Sequence, residues 1–179
     1  DLLLAQQKSS EEAASSGPAD KPHFGTGALA QPVADITNDK HVMLSYQWDS
    51  QKEVKQAHDL LTRLGVKCWM DIAGGMQQDI FDSMAEGVSN ACAVVAFMTQ
   101  EYQDSENCKL ELQFAKQSGV PIVPVMLAGS GWRPSGWLGL LTAGALWTRL
   151  VDDSSFEENV GNLHEQIQKT IGGYQHDSD

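Results

Sequence analysis

The chain of 179 residues has only three cysteines, Cys68, Cys92 and Cys108, with no Cys-x-x-Cys spacing. That pattern excludes a disulfide scaffold and a cysteine-ligated zinc centre as organising features. Free thiols in a reducing compartment, the cytoplasm, are the expectation. The five histidines, at 23, 41, 58, 164 and 176, fall at no ligand spacing, so no metal is expected. Long apolar runs are also missing. The longest, Ala91 to Met98, has eight residues, against the roughly 20 a bilayer-spanning helix needs, and membrane insertion is not expected. The first residues lack the basic, apolar, small-residue order of a secretory leader. Basic residues are scarce: twelve Lys and Arg face twenty-four Asp and Glu, for a net charge of −12. An acidic chain repels phosphate backbones, which argues against nucleic acid as a partner. The imbalance sits at the end, where residues 152–179 hold seven acids and one base, a pattern that suits a solvated helix face.

What is present suits one domain. Hydrophobic residues make up 41% of the chain, enough for a core at this length. Residues 1–38 are instead rich in Ala, Gln, Ser, Gly and Pro, with Ser9-Ser10, Ser15-Ser16 and Gly17-Pro18. So little apolar surface does not offset the entropy of ordering, and a disordered linker or tail is expected there. The folded domain is expected over 39–173, with 174–179 as a second tail.

From His41 the pattern alternates. Apolar runs at 41–46, 66–71, 91–98, 121–127 and 145–151 read as buried strands. Between them lie helical faces. Val54, Ala57, Leu61 and Leu64 follow a Ser50/Glu53 capping box and stop at Gly65. Ile80, Met84 and Val88 mark a second helix. A third runs from about Ser105 to Ser118, with Leu110, Phe114 and Ala115 inward. The last follows a Ser154/Glu157 box and carries Phe156, Val160, Leu163, Ile167 and Ile171. The segment from Trp132 to Trp137 reads as a loop whose indoles fold back on the core. Strands alternating with helices mean βαβ units. The expected fold is α/β, a flavodoxin-like, doubly wound, five-stranded parallel sheet of order 2-1-3-4-5 with helices on both faces. No helix shows a large second apolar stripe, so a monomer in dilute solution is expected.

In that order the binding crevice lies outside the carboxyl ends of the first and third strands. Three occupants fail on residues. A phosphoryl receiver needs carboxylates after strand one and at the end of strand three, where this chain has Tyr46-Gln47 and Met98-Thr99. A flavodoxin needs a small-residue phosphate cradle in place of Tyr46-Gln47-Trp48-Asp49. The dinucleotide fingerprint is absent, since Gly74-Gly75 alone is a turn signal. The crevice does offer one carboxylate, Glu111, with Tyr46, Trp48 and Tyr102 nearby. Such a carboxylate can stabilise an oxocarbenium-like transition state at a sugar carbon, with aromatic faces for a flat ring. Equally, Glu111 can simply favour the positive end of its helix while Trp48 closes the core edge.

Three stretches carry a resemblance: HVMLSYQWDS at 41–50, WMDIAGG at 69–75 and YQDSENCKLELQFA at 102–115. The spacing of Ser105, Cys108 and Glu111 is the most specific of their features. With these, residues from about 41 to 171 resemble a Toll/interleukin-1 receptor (TIR) domain of the non-receptor type. The resemblance implies two activities. TIR domains assemble with other TIR domains, of their own or another kind, in innate-immune-type signalling, through the BB loop that aligns with Asp71, Ile72, Ala73, Gly74, Gly75 and Met76. Many also cleave NAD+ at the nicotinamide–ribose bond to ADP-ribose or a cyclic form, NAD+ being substrate and no cofactor being needed. For this chain the resemblance implies Glu111 as the catalytic residue and a pocket lined by Tyr46, Gln47, Trp48, Ser105 and Asn107. Active relatives often carry Trp where Asn107 stands, and some carry Arg in the loop held here by Gln47 and Trp48. Activity in the family needs self-association, expected here to be weak and concentration-dependent. The alternative is an inactive scaffold that works by assembly alone.

Overall fold

The structure, a computed structural model, describes residues 40–71, 80–151 and 155–176. Strand β1 spans His41–Ser45, β2 Cys68–Trp69, β3 Ala91–Met98, β4 Ile122–Met126 and β5 Thr148–Arg149. They form one sheet of order β2-β1-β3-β4-β5, every pair parallel. This is the doubly wound order expected from the sequence. Helices α1 (Gln51–Arg63), α2 (Ile80–Ser89), α3 (Gln100–Asp104), α4 (Glu106–Gln117), α5 (Gly136–Leu141) and α6 (Phe156–His176) make the crossovers and the final cover.

Strand pleating sorts the core onto two faces, because successive side chains point to opposite sides. Val42 and Leu44 of β1, with Val95 and Phe97 of β3, pack under Val54, Ala57 and Leu61 of α1 and Val160, Leu163 and Ile167 of α6. Met43 of β1, with Val94, Ala96 and Met98 of β3, packs against Val88 of α2, Tyr102 of α3, Cys108 and Leu112 of α4 and Leu138 of α5. Burial on both faces explains why β3 is apolar throughout rather than alternating. Ser45 shares the face of Met43 and is buried, a polar side chain at the carboxyl end of the strand.

Several local expectations are corrected. The edge strands β2 and β5 are two residues each, shorter than the runs 66–71 and 145–151, because each has only one neighbour to pair with. Ser50 makes no side-chain cap; instead a 3-10 turn over Trp48–Ser50 precedes α1, and Gln47 Oε1 accepts from the Asp49 N–H at 2.7 Å. The Ser154 half of the other box lies outside the described residues. On α4 the inward positions are Cys108, Leu112 and Ala115, whereas Leu110 is 43% and Phe114 37% exposed. Ala115 is inward as expected, but both faces of this helix carry apolar residues, and periodicity alone put Leu110 and Phe114 on the wrong one. Leu64 is also exposed, since α1 ends at Arg63 and Gly65 takes φ +87° beyond it.

Two helices were not anticipated. In α3, Thr99 Oγ1 accepts from the Tyr102 N–H at 3.1 Å and so starts a helical turn where the sequence pattern suggests a loop. In α5, Trp137 falls inside the helix rather than the loop. Trp132 and Trp137 do fold back against the core: Trp132 Nε1 donates to Gln100 Oε1 at 2.8 Å, and Trp137 Nε1 to the Gln103 carbonyl at 2.9 Å. A second apolar stripe is present after all. Phe81, 63% exposed, lines a shallow groove with Leu110 and Phe114 where α2 and α4 pack side by side.

Candidate active site

At the carboxyl ends of β1 and β3 the crossovers diverge to opposite faces, which opens the crevice expected of this topology. A cavity of about 100 Å³ lies there. Its walls come from four places. Ser45, Tyr46, Gln47 and Trp48 extend from β1, Trp69 and Asp71 from β2, Met84 stands on α2, and Ser105, Asn107, Cys108 and Glu111 belong to α4 and its cap. Tyr46, Gln47, Trp48, Asp71, Ser105, Asn107 and Glu111 are therefore brought to one cavity. Ile72, Ala73, Gly74, Gly75 and Met76 lie outside the described residues.

Glu111 is half-buried in the wall, and its Oε2 accepts from the Ser45 hydroxyl at 2.6 Å. Ser45 Oγ lies 2.7 Å from the hydroxyl of Tyr102, which is fully buried. Burial pushes the Glu111 carboxyl up to about 7; the Ser45 hydrogen bond opposes this, and the Asp71 charge adds to it. Desolvation disfavours the ionised form, and the Ser45 hydrogen bond only partly offsets it. None of the described lining residues is positively charged. Glu111 is the sixth residue of α4, beyond the first turn where the helix dipole acts, so its place owes nothing to that dipole. Trp48 is 43% exposed and does not close the core edge; its ring sits 6.0 Å from that of Tyr46 at 58°.

The other contacts hold the walls together. Tyr46 donates its hydroxyl to the Asp71 carbonyl at 2.5 Å and so ties the β1 loop to the chain leaving β2. Ser105 caps α4, accepting from the Cys108 N–H at 3.3 Å, and the Cys108 thiol points to the Tyr46 carbonyl at 3.7 Å. Burial pushes that thiol up to about 12. Cys108 is a packing residue, not a reactive one. Asn107 is exposed at the mouth. Sequence reasoning missed Ser45, treated only as the end of a strand, and Trp69. The available signal was a serine closing an otherwise apolar strand. Among the described residues no group of three His, Cys, Asp or Glu can hold a metal, and no helix is long and apolar enough to cross a membrane.

Fold and crevice together define a doubly wound α/β domain with a carboxylate, Glu111, set in the wall of its switch-point cavity beside Asp71. A family model described as TIR domain matches residues 42–164, and the chain belongs to the TIR family. The fold is also that of solved TIR structures. The TIR domain of the Toll-related receptor TRR-2 from Hydra magnipapillata aligns at a TM-score of 0.55 and 17% identity, covering 71% of this chain and 97% of that one. A metazoan TIR-STING receptor from C. gigas aligns at 0.53 and 19% identity, over 76% of this chain and 42% of that one. No curated protein matches the sequence.

Proposed function

We propose that this TIR domain hydrolyses NAD+ at the nicotinamide–ribose bond, in assemblies with its own or other TIR domains that serve innate-immune-type signalling in the cytoplasm. The observation that carries the reading is Glu111, a carboxylate set in the wall of the switch-point cavity and hydrogen-bonded from below by Ser45. As the C1′–N bond breaks, its electron pair returns to the nicotinamide nitrogen, which becomes neutral, and positive charge develops on the ribosyl ring. An ionised Glu111 offsets that charge. Water then adds to C1′ and loses a proton to solvent, giving ADP-ribose; attack by an adenine nitrogen in place of water gives a cyclic product. Tyr46 and Trp48 supply stacking faces for the flat ring, and Gln47, Ser105 and Asn107 supply polar contacts.

A carboxylate about 4 Å from the developing cation is worth about 4 kcal/mol at an effective dielectric of 20, or about three orders of magnitude in rate. Nicotinamide release is therefore measured at high protein concentration with a crowding agent, comparing the natural chain with Glu111→Ala. Release that falls about a thousandfold in the variant supports the reading. Silence in both proteins overturns it.

The second reading is a scaffold that acts only through TIR–TIR assembly. The exposed groove of Phe81, Leu110 and Phe114 favours it, because a contiguous apolar face on a domain surface marks a contact. On that reading Glu111→Ala leaves signalling intact, whereas changes at Asp71 or Gly75 abolish it.

A further inference from the structure

We propose that Ser45 and Tyr102 are positioning residues for Glu111: Tyr102 directs the Ser45 hydroxyl, and Ser45 holds Oε2 so that Oε1 faces the ligand. This rests on the proposed reaction for its purpose, although the relay itself is a matter of geometry. Three groups from β1, α3 and α4 meet, with Tyr102 OH 2.7 Å from Ser45 Oγ and Ser45 Oγ 2.6 Å from Glu111 Oε2. A serine hydroxyl has one proton to give. When Ser45 gives it to the carboxylate, Tyr102 must be the donor in the other bond. The chain of donors then runs in one direction, from the buried phenol to the cavity. When Glu111 is protonated on Oε2 the chain reverses: the carboxylic acid donates to Ser45, and Ser45 to Tyr102.

The neighbouring structure favours this arrangement. Ser45 and Tyr102 are both almost wholly buried, so water does not compete for either hydroxyl. Helix α3 has Tyr102 as its one buried side chain and is started by the Thr99 cap on the Tyr102 N–H. The short helix thus fixes the phenol beneath β1. No buried side-chain oxygen or nitrogen among the described residues lacks a partner, and Glu111 Oε1 accepts no hydrogen bond from them. Oε2 is held by Ser45, and Oε1 is the oxygen assigned to the ligand.

Among the described residues, the groups whose charges act on Glu111 include no cation. Asp71 faces it from the end of β2, Tyr46 from the end of β1, Tyr102 from α3 and Cys108 from α4. Asp71 raises the carboxyl, and the two phenols and the thiol stay neutral near pH 7 because burial raises them. Among the described residues, the Ser45 hydroxyl is the contact that favours the carboxylate, a hydrogen bond to a charged acceptor. Removing it leaves burial and Asp71 unopposed.

The test uses the full chain with Ser45→Ala, Tyr102→Phe and Ser45→Thr, read in two ways. Carbon-13 NMR of the Glu111 carboxyl follows its titration directly and needs no turnover. Nicotinamide release from NAD+ is followed across about pH 5 to 9. Ser45→Ala is expected to raise the Glu111 midpoint by about one unit and to move the acid limb of kcat upward equally. At the alkaline plateau kcat falls about tenfold with KM changed less than about twofold, the mark of lost orientation rather than lost binding. Tyr102→Phe, which removes one oxygen and leaves no large cavity, shifts the midpoint in the same direction by less. Ser45→Thr restores the natural profile. A midpoint unchanged in folded Ser45→Ala overturns the proposal. If that variant does not fold, an unchanged midpoint in Tyr102→Phe does so. A shifted midpoint in a chain that releases no nicotinamide retires the reaction and keeps the relay; normal release with an unshifted midpoint does the opposite.

Discussion

The Trp69 indole lies flat on the His41 imidazole, ring centroids 5.7 Å apart and planes 24° from parallel. Trp69 also lines the Glu111 cavity, so a stack at one end of the sheet supports a wall at the other. His41 Nε2 completes the arrangement with a 2.9 Å bond to the Gly87 carbonyl of α2.

That stack links stability to pH. Burial lowers the His41 pKa below its usual 6.5; the Gly87 bond opposes this, and Lys67 adds to it. Just below pH 6.5 the unfolded chain binds a proton that the folded chain refuses, so stability falls as the pH drops through that region. His41→Phe keeps a ring on Trp69 and removes the titration. Glu111 titrates in the same window with the opposite sign, so the readout is the difference between the two proteins: the natural chain is expected to lose urea midpoint relative to the variant as pH falls from about 7.5 to 5.5.

Gly87 leaves no room for a methyl group. A Cβ there meets the Trp69 ring at 2.8 and 2.9 Å, and that ring is pinned by His41. Gly87→Ala is expected to cost about 1–3 kcal/mol, the usual range for overpacking. If nicotinamide release is established, it should fall as well, because the displaced ring is a cavity wall. Denaturant unfolding and turnover are the two measurements.

Glu111 weakens the fold it serves. Its carboxyl is raised to about 7 from an ordinary 4.5, so between those values the folded chain holds a proton that the unfolded chain has lost. Stability therefore falls as pH rises through this window, and the penalty is complete above it. Glu111→Gln keeps an acceptor for Ser45 and removes the charge. The variant is expected to be more stable by about 2 kcal/mol near pH 8, with the gain shrinking towards pH 5. A melting temperature no higher than that of the natural chain near pH 8 contradicts this account.

Thiol reactivity offers a separate check. Burial pushes Cys68 and Cys108 up to about 12, leaving negligible thiolate at neutral pH. Brief alkylation of the native protein near pH 8, read by peptide mass, is expected to leave both unmodified, while the denatured chain reacts at both.

The groove between α2 and α4 can be tested without touching the cavity. Phe81→Ser and Leu110→Ser remove exposed apolar surface, so unfolding free energy should change by less than about 0.5 kcal/mol. Sedimentation equilibrium at high concentration should show weaker self-association if this face carries the assembly. Unchanged association assigns it elsewhere.

Local pattern in the sequence settled the sheet. Apolar runs alternating with amphipathic stretches require βαβ units, and parallel crossovers then limit the strand order and place the crevice at the ends of β1 and β3. Tyr46, Gln47, Trp48 and Glu111 followed from that placement. Position along a helix was harder to read. On α4 the residues Leu110 and Phe114 are as apolar as Leu112 and Ala115, and only packing against the sheet separates the buried set from the exposed one. Short elements such as α3 escaped because one cap and five residues leave no period to detect.

Sequence alone therefore determined the architecture and the neighbourhood of Glu111, since both follow from periodicity and chain topology. The environment that gives Glu111 its character was decided only by tertiary structure. Its hydrogen bond to Ser45 crosses 66 positions, and that between Ser45 and Tyr102 crosses 57. No local pattern encodes those meetings. Burial, which raises the carboxyl, and a single hydroxyl, which opposes the rise, act only once β1, α3 and α4 have been brought together.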